Sequence, residues 1–351
     1  MTRTLGRILV TGADGYIGAV LCPILMEQGY TVIGLDTGFY RRGWLYSDGK
    51  PRPMILTRDH RNITVNDLCG FDAVVHLAEL SNDPLGENDP DLTLAVNHRG
   101  SVALAEKAKT AGVPRFVYAS SCSIYGAGDD TWRTEESATA PQTAYARCKI
   151  LVEQDVKALT DDSFTPVFLR NATAYGASPR QRFDIVLNNL CGLAHCTGEI
   201  RMTSDGMPWR PIVHVRDISA AIVSALRADP AAIAGEAFNV GRDDGNYRIR
   251  EIAEIVGRAF PKAKITFGSD GGDTRSYRVS FAKIRRHMPD FECTWDAQRG
   301  AQELAALFSR INLTGTEFLS DPFTRLKELR YLQDTGQVDQ SLFWTEAAPA
   351  A

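Results

Sequence analysis

The chain has 351 residues, 44% hydrophobic and 23% charged, with a net charge of −4. That balance is ordinary for a soluble globular protein and leaves no electrostatic footprint for nucleic acid or a membrane surface. No apolar run is long enough to span a bilayer, no signal-peptide core precedes the first strand, and seven scattered cysteines without a CxxC pair read as reduced cytoplasmic thiols, not as a disulfide framework or a metal site.

From the N-terminus, apolar runs alternate with helical patterns. "RILVTG" (7–12), "TVIGLD" (31–36), "PMILTR" (53–58), "DAVVHLA" (72–78), "RFVYASS" (115–121) and "TPVFLRN" (165–171) predict strands. Helices are predicted at about 16–28, 92–111 and 143–159. Strands that are apolar throughout and separated by helices imply a parallel sheet covered on both faces, the Rossmann-type doubly wound α/β fold. After about Phe183 the rhythm loosens. "IVLNNLCGLAHC" reads as a helix, "RPIVHVRDISAAIVSALRA" as a strand and a helix, and "RIREIAEIVGRAF" and "AQRGAQELAALFSRI" as helices. The expected division is a dinucleotide-binding domain over 1–180, with a strand and helix returning to it from about 211–240. A smaller mixed α/β substrate lobe would cover 181–312, and a tail 313–351. The tail carries apolar residues and is expected to pack, while its last stretch, "TEAAPAA", is expected to fray.

"VTGADGYIG" (10–18) follows the first strand and opens the first helix, with Gly12, Gly15 and Gly18 at GxxGxxG spacing. The first glycine permits a tight turn, the second lets the backbone approach a diphosphate, and the third lets helix and strand pack closely. Free N–H groups at the helix start then face the phosphates. Gly-rich turns are common, but this one stands in the strand–turn–helix setting the dinucleotide fingerprint requires. Asp36 ends the second strand, 18 residues after Gly18. A carboxylate there accepts from both ribose hydroxyls and repels a 2′-phosphate, which favours NAD over NADP. Arg41 and Arg42 are either cations within reach of a 2′-phosphate or a solvated loop. Asp59, after the third strand, is placed for the adenine amino group, and "HLAEL" (76–80) would lie along the cofactor.

"YARCK" puts Tyr145 and Lys149 at i and i+4 on one helix face. A free tyrosine titrates near pH ~10, and an ammonium or a nicotinamide cation beside it favours the phenolate. "SSCSIYG" (120–126) leaves an apolar strand with Ser121, Cys122 and Ser123 together, as a polar turn or as a catalytic hydroxyl.

Together these pieces resemble the extended short-chain dehydrogenase/reductases, specifically the NAD-dependent sugar-nucleotide epimerase/dehydratase family. The resemblance covers about Arg7 to Ile284. It rests on TGxxGxxG at 11–18, Asp36, "HLA" at 76–78, Asn97, "SSCSIYG", YxxxK, "RNATAYG" at 170–176 and "RPIVHVRD" at 210–217. It implies Tyr145 as acid/base on a sugar hydroxyl, Lys149 holding the nicotinamide ribose and lowering the Tyr145 pKa, and Ser121 bonding the same sugar oxygen. Hydride would pass between a sugar carbon and the nicotinamide of NAD. Tyr16, Ile17, Leu77, Ala78 and Asn97 would join the glycines along the cofactor. Asn171, Arg210 and Arg278 would meet the diphosphate of a nucleotide sugar, UDP-type by resemblance, and Asn189 its nucleotide. Ser123 and Arg182 would also face the substrate. A homodimer through the helices at about 92–111 and 143–159 is implied as well.

The loop separates chemistries within that family. Relatives that dehydrate sugars resemble S-T-D-E-x-Y-G there, with Asp and Glu driving elimination. This chain has Cys122 and Ser123, which do not replace a carboxylic acid and its base. The loop is similar to the UDP-galactose 4-epimerase form, so epimerisation through a keto-sugar is expected, with keto-sugar reduction as the alternative. A non-catalytic NAD sensor is the alternative outside enzymes, and such relatives tend to lose the tyrosine. Cys122 as a nucleophile has no partner base in any nearby motif. Glu79 sets a carboxylate beside the nicotinamide region, and Arg180 or Arg182 in "SPRQRFD" is set to meet a phosphate or an acidic sugar. "DTGFYRRGWLYSDG" (36–49) and the tail both depart from the family pattern.

Overall fold

The structure, a computed structural model, describes residues 6–81, 89–126, 131–269 and 275–345. Seven parallel strands form the central sheet: β1 (Arg7–Thr11), β2 (Thr31–Asp36), β3 (Met54–Thr57), β4 (Ala73–His76), β5 (Arg115–Ser121), β6 (Thr165–Asn171) and β7 (Glu236–Val240). Their order is β7-β6-β5-β4-β1-β2-β3. The chain leaves β1 for β2 on one side and returns to β4 on the other. That reversal opens a crevice beyond the carboxyl ends of the strands, where ligands of such sheets bind.

Both sheet faces are apolar because side chains alternate along each strand. Ile8 and Val10 of β1 face helices α1 (Gly18–Glu27) and α5 (Val215–Arg227). Leu9 faces the opposite layer, α2 (Gly100–Thr110) and α3 (Ala144–Lys157). Each such side chain, fully buried, contributes roughly 1.5–3 kcal/mol. Helix α1 carries Pro23, which cannot donate to the Ala19 carbonyl one turn back. The Arg52 guanidinium donates to that carbonyl instead.

Between β4 and α2 a single helical turn, Pro90–Thr93, runs into a π-helical stretch, Leu94–Arg99. The second half builds its own core from α4 (Val186–Thr197), α6 (Ile249–Ala259) and α7 (Ala297–Ile311), with Leu187, Val256 and Phe308 at its centre. A three-stranded sheet over 173–175, 209–214 and 246–248 adjoins it.

The tail packs, as expected, and its place is specific. Helix α8 (Arg325–Asp334) and the chain after it bury Leu329, Leu332, Val338 and Leu342 against Phe39, Leu80 and Val96. Thr345 is tied to the carbonyls of Gly336 and Gln337. The rest of "TEAAPAA" lies outside the described residues. Among the described residues no helix is long and apolar enough to cross a membrane.

Candidate active site

Register aligns the strand ends that build the site. Thr11 pairs with Leu35 on β2 and with His76 on β4, and Ser121 on β5 lies opposite Asn171 on β6. The Thr11 hydroxyl meets His76 Nδ1 at 2.6 Å and accepts from the Leu77 and Ala78 N–H groups at 3.2 and 3.3 Å. His76 Nε2 meets Ser101 at 2.7 Å. Burial, then repulsion from any charge on His60 and from the Lys149 ammonium, holds His76 well below the usual imidazole range, so it bridges as a neutral group. This clamp brings Leu77 and Ala78 hard against Gly12. A Cβ on Gly12 would stand 2.9 Å from the Ala78 nitrogen, and its φ of +69° is one L-residues rarely adopt.

The groove above this turn is lined by Gly12, Gly15, Tyr16, Ile17 and Gly18 from the fingerprint. Asp36, Asp59, Leu77 and Ala78 complete that wall. The Asp36 carboxylate accepts from Gly38 N–H at 2.8 Å and Asp14 N–H at 3.1 Å, and burial pushes its pKa up. Burial acts the same way on Asp59, but two bonds from the Arg61 side chain, at 2.7 and 3.0 Å, outweigh it and hold the carboxyl low.

A second cavity of about 610 Å³ opens from the groove over β5 and β6, within the range of small-ligand pockets. Ser121, Ser123, Tyr145, Lys149, Asn171 and Arg182 line it, with Asn189 and Arg210. Thr143 caps α3 by accepting from Ala146 N–H, which fixes the turn carrying Tyr145 and Lys149. The Lys149 ammonium lies 5.3 Å from the Tyr145 ring centre and donates to the Ala119 carbonyl. The Ser121 hydroxyl accepts from Ser123 N–H at 3.1 Å, and the buried Ser123 hydroxyl has no partner among the described residues. Asn171 donates weakly to the Ser120 carbonyl at 3.4 Å, leaving its buried Oδ1 unpaired. Cys122 is sealed in, its thiol against the Arg170 carbonyl at 3.1 Å and its pKa pushed far up by burial. It is no nucleophile in this setting.

Glu79 lies where groove and cavity meet, and lines both. Its carboxylate pairs with Lys149 and accepts from the Tyr118 hydroxyl at 2.5 Å. Burial pushes its pKa up. Lys149 is lowered by burial, yet the Glu79 charge more than offsets this and leaves it raised, so the ammonium persists.

Three expected residues sit elsewhere. Asn97, on the π-helical stretch, spends its amide on the N–H and carbonyl of Leu80, at 2.8 and 3.0 Å, and does not line the groove. It shapes the wall from behind. Arg278 does not line the cavity either. Its strand, Arg278–Val279, pairs with Trp132–Arg133, and the guanidinium rests 5.2 Å from the rings of Trp132 and Trp209. Arg275 and Tyr277 of the same segment take the wall position. Arg180 turns from both cavities to bond Asp14 and the Tyr40 carbonyl. Arg42, half-exposed, spends its guanidinium on Glu328 of α8 through two 3.0 Å bonds and not on the groove. Arg325 and Leu342 of the tail line the groove, and nothing in the motif pattern marks them.

The sequence profile of the NAD dependent epimerase/dehydratase family matches residues 8–241. A UDP-glucose 4-epimerase of Bacillus subtilis (strain 168) is 25% identical over 337 residues, covering 85% of this chain and 94% of the relative. Among solved structures, the NAD dependent NDP-hexosamine 5,6-dehydratase TunA superposes with a TM-score of 0.76 at 22% identity, covering 87% of this chain and 98% of that one. A UDP-glucuronic acid 4-epimerase from Bacillus cereus, in complex with UDP-glucuronic acid and NAD, superposes with a TM-score of 0.74 at 23% identity, covering 87% and 99%. The groove fits a dinucleotide on its own chemistry. It offers a turn too tight for any Cβ, a helix start, and a carboxylate at the end of β2.

Proposed function

The chain belongs to the NAD dependent epimerase/dehydratase family, and we propose that it epimerises a nucleotide-diphosphate sugar. The observation that carries this is one cavity wall that holds Ser121, Tyr145 and Lys149 with no free carboxylate among the described residues. Its two acids, Glu79 and Asp184, are each engaged by a cation, Lys149 and Arg182. Elimination of water needs a carboxylic acid and a base held near the substrate. Cys122 and Ser123 supply neither.

NAD, when bound, supplies the hydride acceptor and donor. Tyr145 takes the proton from the sugar hydroxyl whose carbon is oxidised. The Ser121 hydroxyl bonds that oxygen and orients it. Lys149 stabilises the phenolate by charge. The cavity would give the keto-sugar room to turn, and Tyr145 would return the proton to its oxygen when the carbon is reduced again on the other face. Atoms and electrons balance without added reductant. Asn171, Asn189, Arg182 and Arg210 hold the nucleotide diphosphate while the sugar turns, a task suited to guanidiniums. The Bacillus subtilis relative favours UDP as that nucleotide.

The test is an NMR screen of nucleotide sugars in deuterated water with no cofactor added. The expected result is interconversion of two epimers without deuterium in the product. Deuterium beside a carbonyl, or NADH consumed in step with product, would overturn the reading. The same reading takes the protein as a homodimer through α2 and α3, and a light-scattering mass equal to one chain would remove that part.

A further inference from the structure

We propose that the C-terminal segment completes the cofactor site, with Arg325 holding the diphosphate of the dinucleotide and Leu342 closing the wall nearby. The proposal rests on the family's cofactor and not on which sugar reaction follows.

Arg325 is 2% exposed and lines the groove that Gly12, Gly15 and Asp36 also line. Its buried Nη1 has no hydrogen-bond partner among the described residues. Asp184, whose charge it feels, is taken by both Nε and Nη2 of Arg182 at 2.8 and 3.1 Å. The Tyr40 ring lies against the guanidinium, 3.8 Å from its centre. Burial lowers its pKa to about 10, still well above neutrality, so the cation is kept although the carboxylates whose charge reaches it, Asp184 and Glu328, are bonded to Arg182 and Arg42. A buried guanidinium with no carboxylate of its own among the described residues is costly, and proteins keep one where a ligand brings the opposite charge. A dinucleotide in this groove carries two phosphate charges and no other anion. Arg325 does not line the sugar cavity, although its neighbours Thr324 and Leu326 do, which assigns the guanidinium to the dinucleotide and not to the nucleotide sugar.

The tail is built to hold this position. Leu342 has φ +59°, a left-handed conformation that leucine adopts at a cost, yet its side chain is 3% exposed and lines the groove. Around it Trp344 donates to the Thr37 carbonyl at 2.7 Å, Arg61 donates to the Ser341 carbonyl at 2.9 Å, and Arg61 also stacks 3.9 Å over Phe343. Arg61 is the residue that orders Asp59 in the groove wall. The family profile ends at residue 241, so these contacts come from outside the matched span.

The experiment compares full-length wild type with Arg325→Met and Arg325→Lys. NAD and UDP affinities are measured by titration calorimetry on cofactor-stripped protein, beside its melting temperature. Arg325→Met is expected to weaken NAD about tenfold to a hundredfold, the scale of lost charge-assisted bonds. UDP affinity should be unchanged, and the stripped protein should melt no lower, because an unpaired buried charge has been removed. Arg325→Lys should recover part of the NAD affinity. Unchanged NAD binding in Arg325→Met overturns the proposal. So does a loss that falls on UDP, which would move the guanidinium to the sugar nucleotide. A lowered melting temperature of the stripped protein with a matching loss of both ligands would make Arg325 a structural residue and overturn it too.

Discussion

The two ends of the cofactor groove are finished by different means. At the sugar end, Lys149, Glu79, Tyr118 and Ser121 stand on strand ends or on a capped helix, and each is held by a neighbour from the same Rossmann framework. At the other end the wall is completed by Leu342 and Arg325, nearly three hundred residues beyond Asp36 in sequence, through aromatic, apolar and cation–π contacts. Strand ends fix side chains to the tolerance that bond-making chemistry needs. A docked segment held by side-chain contacts can open as a unit without disturbing that geometry. On the two proposals above, the fold therefore separates the place where hydride moves from the place where the cofactor is retained.

The sharpest way to test that separation is to remove the acid/base. Tyr145→Phe is expected to lower kcat about a thousandfold, the scale of general acid–base catalysis, while the protein still purifies with NAD(H). Full activity in this variant would break the catalytic assignment and revive a non-catalytic role. Glu79→Gln should act less strongly, by about tenfold, and through charge. Without the Glu79 carboxylate, Lys149 loses the neighbour that raises its pKa. The Tyr145 proton then faces one negative charge fewer, so the rate should reach its plateau at lower pH, by about one unit. A drop in kcat with the pH profile in place would make Glu79 a packing residue only.

The next effect is on stability and comes from two buried histidines. His76 and His60 are buried and held below the free imidazole value, His76 well below it, burial being the largest cause for both. A folded-state pKa below the unfolded one means that the unfolded chain binds a proton the folded chain refuses. Stability is then complete above about pH 6.5 and falls as pH drops below it, for His76 by up to about 1.4 kcal/mol per unit, with His60 adding in the same direction. Urea unfolding at steps from about pH 7.5 to 5.5 should show this slope, and His76→Gln should remove one group's share of it. An identical slope in the variant would mean that His76 titrates in the folded protein.

The same contrast governs what the sequence disclosed. Strands β1, β2, β4, β5 and β6 and the helices at 16–28 and 143–159 were legible because their apolar periods match the burial they receive, whereas β7 was not among the predicted strands. GxxGxxG and YxxxK were legible because strand–turn–helix geometry makes local spacing equal to spatial grouping. Asn97 was read as a cofactor contact and instead braces Leu80, because a π-helical stretch turns its side chain behind the wall. Arg278 was read as a substrate contact, yet Arg275 lines the cavity and Arg278 does not, because a two-residue strand against Trp132–Arg133 carries no periodic signal. The loop at 36–49 and the tail were set apart as unlike the family pattern. They turn out to be each other's partners, since Arg42 meets Glu328 and Phe39 meets Trp344 at a centroid distance of 5.7 Å. Long-range pairing of that kind leaves no trace in local pattern.

The smallest effect tests that pairing. Arg42 reaches Glu328 from a half-exposed position, 43% open to solvent, while the carboxylate is fully buried. The ion pair itself contributes little, as exposed pairs do. Its removal leaves Glu328, whose pKa burial already pushes up, without its cation. A carboxyl in that state protonates more readily, which lets α8 stay docked at a modest penalty. Arg42→Ala is therefore expected to speed amide exchange across 325–334 and NAD release by a fewfold each, well short of the Arg325→Met loss, with kcat unchanged at saturating NAD. The exchange increase should be larger at pH 8 than at pH 6, because the unpaired carboxylate is ionised there. An equal increase over wild type at both pH values would mean that the tail is held by its apolar face alone, Leu329, Leu332 and Leu342 against Phe39 and Val96.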